Sequence, residues 1–270
     1  MNPFRHFLLA IQFFTRIPVT GTLALWTGFS EERLARCSAY LPLIGSLVGL
    51  LTAIVFIAFM MLLPNQISNY WVSVFMATIT PIFITGALHE DGLADLVDGL
   101  GGASTREKAL EIMKDSRVGT YGSIALILTI SGKVIFLSAL AQVSISLTFF
   151  AIVAASIFSR FLVLVAMTYL PYSGDISFSK SKAMFAGPRL SIFTVGALWT
   201  IILFLIIYLC YSSWVWVGGF FTSIVVLLLL LRIFYLRLGG VNGDALGAIQ
   251  QLTEASFYLG LLLLTSFIVI

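Results

Sequence analysis

Charge is what this 270-residue chain has least of: fifteen Lys and Arg and twelve Asp and Glu make up 10% of it, against 60% hydrophobic residues. A core of this size cannot hide so much apolar surface from water, which excludes a soluble domain. The apolar runs lack the period-two alternation of a transmembrane barrel. Two cysteines, Cys37 and Cys210, are too few for a disulfide framework or a thiolate metal cluster. No linker, low-complexity tract or internal repeat divides the chain, so residues 1–270 read as one domain.

What is present is a series of long apolar runs. Uncharged segments able to cross about 30 Å of hydrocarbon extend from Tyr40 to Leu63, Tyr70 to Leu88, Leu190 to Tyr211 and Ser213 to Leu231. Two more, Ser123 to Ala141 and Ile145 to Leu170, each hold one cation, Lys133 and Arg160, and a shorter seventh runs from Ala255 to Ile270. The bilayer interior offers no water to unpaired backbone groups, so these spans are predicted to be helices. The stretch from Phe4 to Phe14, behind Arg5, is too short to span, and no small-residue cleavage site follows it. It is predicted to be an uncleaved interfacial helix. The expected fold is an all-α polytopic membrane bundle of about seven transmembrane helices plus that N-terminal helix.

The basic residues orient it. Arg5, Arg16, Arg33 and Arg36 precede the first span, while Arg106, Lys108, Lys114 and Arg117 follow the second. Lys180, Lys182 and Arg189 follow the fourth, and Arg232 and Arg237 follow the sixth. The alternate connections, Pro64 to Asn69, Gln142 to Ser144 and around Ser212, carry no charge. Every second loop is basic, so those loops are predicted to face the cytoplasm of a cell (inner) membrane with the C-terminus outside. Cys37 and Cys210 then fall on opposite sides, which excludes a bond between them. The net charge of +3 reports topology and is no nucleic-acid signal.

Against this scarcity, His89-Glu90-Asp91-Gly92-Leu93-Ala94-Asp95-Leu96-Val97-Asp98-Gly99 holds four of the twelve carboxylates. In a helix, at about 100° per residue, Asp95 lies about 40° around from Asp91 and Asp98 about 20° the other way, one narrow stripe. Like charges so placed repel. A hard divalent cation, which takes oxygen ligands and shares its shell with substrate phosphates, would reconcile them. A solvated helix face is the plainer alternative, but it would mix in Lys and Arg, and none occurs between His89 and Gly102. Gly92 and Gly99 also permit close approach of a ligand or a helix.

Two further segments lie on the same side. Pro171 to Arg189, with Asp175, is polar and reads as a mobile loop. Gly239 to Gly247 is a Gly-rich turn in which Asn242 or Asp244 caps the helix that reaches Glu254. Asp244 could instead complete a metal shell or act as a general base. Lys114 and Arg117 offer cations to a pyrophosphate, although Asp115 and Arg117 also read as a surface pair. Lys133 and Arg160 should face the bundle interior with partners, Arg160 holding a phosphate or an acid of the stripe. His89 reads as a metal-ligand partner, a substrate contact or a helix cap.

The acidic run, followed by Leu110-Glu111-Ile112-Met113-Lys114-Asp115-Ser116-Arg117-Val118-Gly119-Thr120-Tyr121-Gly122, closely resembles the signature of the cobalamin synthase family, the adenosylcobinamide-GDP ribazoletransferases. Phe14-Thr15-Arg16-Ile17-Pro18-Val19, Leu41-Pro42-Leu43-Ile44-Gly45 and Gly239 through Glu254 resemble the family's other marks, in order. The resemblance implies joining α-ribazole or its 5′-phosphate to adenosylcobinamide-GDP with loss of GMP, and Mg²⁺ as cofactor. Charge and spacing then place Asp91, Asp95, Asp98 and Asp244 at the metal, Asp98 and Asp244 in catalysis, with Asp244 either completing the shell or taking the proton, and His89, Lys114, Arg117 and Arg160 at the substrates, all as expectations. The acids are also similar to those of CDP-alcohol phosphotransferases, with Ala248 standing where those enzymes repeat an Asp. Partners are the two substrates and membrane lipid; homo-oligomerisation stays open. The rival class is a membrane transporter, which predicts acids near the bilayer midplane and symmetric interrupted helices.

Overall fold

The structure, a computed structural model, describes residues 3–64, 67–174 and 180–265. Asp175 and the end of the expected seventh span, residues 266–270, lie outside the described residues. The described residues fold into helices, with one isolated bridge between Tyr172 and Val241. Three short helices come first, α1 (Pro3–Phe14), α2 (Gly21–Thr27) and α3 (Glu31–Cys37), and a 3₁₀ turn (Ser38–Tyr40) leads into α4 (Leu41–Leu62). Then follow α5 (Ile67–Thr85), α6 (Leu88–Gly102), α7 (Arg106–Ile112), α8 (Thr120–Val143) and α9 (Ile145–Tyr169). The chain continues through α10 (Lys180–Met184), α11 (Arg189–Cys210), α12 (Trp216–Leu238) and α13 (Gly243–Thr265).

Six of these, α4, α5, α8, α9, α11 and α12, are long and apolar enough to cross a membrane, so the chain is a multi-pass helical bundle. Their outward faces carry residues such as Ile127, Leu205 and Leu228, which only hydrocarbon would solvate. At the centre stands α9, 72% buried along its span against 22–39% for the other five. It packs closest on α4, where a Cβ on Gly49 would lie 3.0 Å from the Val153 Cα. The N-terminal α1 is amphipathic, burying His6, Leu9, Ala10 and Phe14 and exposing Phe4. Cys37 is buried and Cys210 exposed, both free thiols.

The sixth span, expected to end at Leu231, runs on as α12 to Leu238 and holds Arg232 and Arg237 in its last turns, where a cation at the C-terminal end suits the helix dipole. Three other features differ from the sequence expectation as well. The second span stops at Thr85, short of Leu88, because Gly86 (φ 69°) and Ala87 (φ 59°) turn left-handed and start α6 as a separate helix. Arg16 holds this break, its backbone N–H donating to the Ile84 carbonyl at 2.6 Å and its side chain filling the space beside Gly86. The helix capped at Asn242 and the apolar run from Ala255 are one continuous helix, α13, from Gly243, and Gln250, Gln251 and Glu254 in its first half are buried among polar partners inside the bundle. Pro171 to Arg189 contains α10, which rests on α3, and Ser173 donates to the Val241 carbonyl at 2.9 Å.

Candidate active site

The acidic run is helical, as its spacing requires, and α6 carries Asp91 exposed, Asp95 half-buried and Asp98 buried along one stripe. A glycine pair brings α6 against the start of α13. A Cβ on Gly92 would lie 3.0 Å from the Asp244 Cα, and one on Gly247 would lie 3.0 Å from the His89 carbonyl. A side chain at either position would push the helices apart, so the glycines hold Asp244 beside Asp91 and Asp95. Asn242 is what caps α13: its Oδ1 accepts from the Ala245 N–H at 2.9 Å, and its Nδ2 reaches Asp244 Oδ2 at 3.3 Å. With the cap supplied, Asp244 is released for other work.

These acids load one another. Burial pushes the Asp244 carboxyl up to about 7, with Asp95 and Asp91 adding to the shift. Burial, then Asp91 and Asp98, raise Asp95 to about 6. Among the described residues no three His, Cys, Asp or Glu side chains close around a point tightly enough to enclose a metal ion by themselves. The donor set still suits Mg²⁺, which rarely takes an all-protein cage and keeps waters and substrate phosphates on one or two carboxylates.

Asp98 is placed differently. Its Oδ2 accepts from the Gly119 N–H at 2.7 Å and its Oδ1 from the Gly122 N–H at 2.9 Å, so it anchors the first turn of α8. A side chain at either glycine would strike this carboxylate. A buried carboxylate on helix N-terminal amides is stabilised by those bonds and by the dipole.

A cavity of ≈160 Å³ opens between α1, α4, α6, α9, α10 and α13. Asp91, Asp244, His89 and Arg160 line it together with Phe13, Phe14, Leu41, Val163, Met184 and Leu246, and the residues from α1, α4 and α10 are all apolar. Buried His89 is kept neutral, its imidazole pulled well below the usual range by burial and then by Arg160 and Lys133. The Arg160 guanidinium is fully buried; Nη1 donates to the Ser156 carbonyl at 3.0 Å and Oγ at 2.7 Å, while Nε has no protein partner.

Lys114 and Arg117 do not line this cavity. Arg117 sits on the exposed surface, where Nε donates to Asp115 Oδ1 at 3.0 Å, and its guanidinium holds Asp115 at about 2. It lines a second, open cleft of ≈410 Å³ with Asp98, Lys108, Glu111, Asp115 and Tyr121. The stripe of α6 thus runs from a half-apolar inner cavity at Leu88 to Gly92 to a polar outer cleft at Asp98 and Gly102.

Behind the inner cavity lies a buried polar network. Lys133 Nζ reaches Glu254 Oε1 and Gln251 Oε1, each at 2.8 Å. Gln250 donates to Glu254 Oε2 at 2.6 Å, and Gln251 donates to Glu90 Oε1 at 2.8 Å. Arg160 Nη1 stands 3.9 Å from Glu254 Oε2. Paired charges are tolerable away from water where isolated ones are not, and these lash α6, α8, α9 and α13 together. Gln250 and Gln251 carried no functional signal as isolated amides, yet they bridge the two buried acids.

Known proteins place the chain among relatives. The family described as cobalamin-5-phosphate synthase matches residues 6–262. A protein of Albidiferax ferrireducens named adenosylcobinamide-GDP ribazoletransferase is 40% identical, over 95% of this chain and 97% of its own. Proteins of that name from Polaromonas sp. and Vibrio cholerae are each 39% identical, covering 97% and 95% of this chain and 99% and 92% of theirs. No solved structure matches the chain. Full-length likeness at this identity, with the acidic helix and its glycine contact inside the matched region, means that this chain belongs to the cobalamin-5-phosphate synthase family.

Proposed function

We propose that the chain is a Mg²⁺-dependent adenosylcobinamide-GDP ribazoletransferase, one membrane domain whose site faces the cytoplasm. A ribose hydroxyl of α-ribazole, or of its 5′-phosphate, attacks the phosphorus that bears cobinamide. The new O–P bond forms as the pyrophosphate P–O bond breaks, and GMP leaves with that electron pair. The hydroxyl proton passes to a base of the protein. The observation that carries this reading is the Gly92–Gly247 contact, which sets Asp244 against the Asp91–Asp95 stripe at the mouth of a cavity lined by a buried arginine.

Displacement at a pyrophosphate is driven by positioning and by neutralising charge on the moving oxygens. Asp91, Asp95 and Asp244 would hold the cation, with Asp98, whose oxygens keep further lone pairs, next to them on the stripe. When bound, Mg²⁺ supplies charge neutralisation and orients the pyrophosphate. Arg160 lines the cavity with a buried Nε–H that has no protein partner, and its guanidinium would supply charge to a phosphate oxygen there. Asp244 would instead serve as the base for the attacking hydroxyl if it stays off the cation, since burial beside Asp95 and Asp91 pushes its carboxyl up to about 7. Neutral His89 keeps one donor and one acceptor for a substrate hydroxyl or an acid.

The test is GMP release by purified protein given adenosylcobinamide-GDP and α-ribazole 5′-phosphate, with Mg²⁺ and with chelator. Release that requires both substrates and the cation is the expected result. A transporter would release none, and equal release in chelator would remove the metal from the account.

A further inference from the structure

The inner cavity joins two kinds of surface that a displacement at phosphorus needs side by side. Its polar part, Asp91, Asp244 and Arg160, is the candidate chemical site. Its apolar part has no role in that chemistry. Phe13 and Phe14 come from the end of α1, Leu41 from the start of α4, Val163 from α9, Met184 from α10 and Leu246 from α13. Five of these, Phe14, Leu41, Val163, Met184 and Leu246, are themselves buried, so this is a formed wall and not a scatter of surface residues.

Given the proposed function, on which the inference rests, three bulky groups compete for places around the phosphorus: the benzimidazole base of the acceptor, the corrin ring and the guanine of the leaving nucleotide. Size removes the corrin, a macrocycle far larger than an aromatic bicycle, from a cavity of ≈160 Å³. Polarity removes guanine. Its amide and amino edges would be buried against Phe, Leu, Val and Met, and an unpaired polar group so buried costs several kcal/mol, of order 2–7. A ribosylated benzimidazole has no N–H donor and presents an apolar bicycle. Inserted against this wall, it would leave its ribose in the mouth, beside Asp244.

We infer that the apolar wall of the inner cavity is the acceptor subsite, which clasps the benzimidazole base of α-ribazole and so aims its ribose hydroxyl at the phosphorus over Asp91 and Asp95. The direction of α6 agrees. Asp91 and Asp98 lie seven residues apart, about 10 Å at helical rise, and in-line displacement puts nucleophile and leaving group on opposite sides of the phosphorus. The acceptor at the inner end directs GMP toward the outer cleft, where Lys108, Arg117 and Tyr121 offer cations and a stacking ring.

Val163→Phe, which fills the cavity, tests this by steady-state kinetics with each substrate varied separately. The expected result is a KM for α-ribazole 5′-phosphate raised roughly tenfold or more, with the KM for adenosylcobinamide-GDP unchanged within about twofold. A rise confined to adenosylcobinamide-GDP, or equal effects on both, overturns the assignment while leaving the transferase reading in place. Wild-type protein that releases no GMP in the same assay sinks both. Should the variant not fold, the wild type decides: the benzimidazole fluorescence of bound α-ribazole should respond to free 5,6-dimethylbenzimidazole as competitor and not to GMP. Displacement by GMP alone overturns the proposal.

Discussion

Asp95 carries the most weight of any single residue. It sits between Asp91 and Asp98 on α6 and feels both of them, and Asp244 feels it in turn. Such a residue is costly to the fold and useful to the chemistry, so the two should separate on mutation. Asp95→Asn is expected to lower turnover at least ~100-fold while raising the melting temperature of metal-free protein, because a repelling charge is gone; GMP release and thermal unfolding measure the two. A variant that keeps near-normal activity would remove Asp95 from the site. The stripe was legible in sequence because helical geometry needs nothing beyond spacing. The fate of its members was not. Asp98 meets amides of Gly119 and Gly122, more than twenty residues away, and Asn242 and Asp244 both read as caps until the Asn242 Oδ1 contact to Ala245 decided between them.

At the scale of elements, two small residues do what no acid can. Gly92 and Gly247 let α6 and α13 touch backbone to backbone, and this contact fixes how far Asp244 stands from the stripe. Gly247→Ala puts a methyl 3.0 Å from the His89 carbonyl and 3.3 Å from the Gly92 Cα, so the helices must part by a few tenths of an ångström. Catalysis that relies on positioning should lose roughly 10- to 100-fold in kcat, with insertion into membranes and helix content by circular dichroism unchanged. Wild-type kcat in that variant would show that the helix spacing is not critical. The apolar spans were legible within a few residues, apart from α12, which continues past Leu231 to Leu238. The start of α13 was legible from its caps, but the burial of its first half was not, because Gln250, Gln251 and Glu254 look like surface residues in sequence and become interior ones through Lys133, Glu90 and Arg160. The cations Lys114 and Arg117 were visible as charges, but whether they lie at the inner cavity or outside it depends on how α7 and α8 fold back, which spacing does not encode.

The whole molecule answers to the summed charge of the site. Asp95 and Asp244 titrate near 6 and 7 in the folded chain, above the ordinary carboxylate value of about 4. Between those values the folded state holds more protons than the unfolded one, so stability falls as pH rises through that window. Metal-free protein in detergent should therefore melt at a higher temperature near pH 5 than near pH 8. Saturating Mg²⁺ should flatten that slope by taking over the protons' role, as thermal scans at the two pH values would show. A slope of opposite sign, or one indifferent to Mg²⁺, would mean that these carboxylates are already neutralised by the protein.

The central claim is that α6 and α13 together form a divalent-cation site, and Mn²⁺ uptake followed by electron paramagnetic resonance tests it most directly, since it needs neither substrate nor turnover. The wild-type protein should take up Mn²⁺ that Mg²⁺ displaces, and Asp95→Asn and Asp244→Asn should each lose that uptake while staying folded. Uptake unchanged in both variants, or absent from the wild type, would contradict the account.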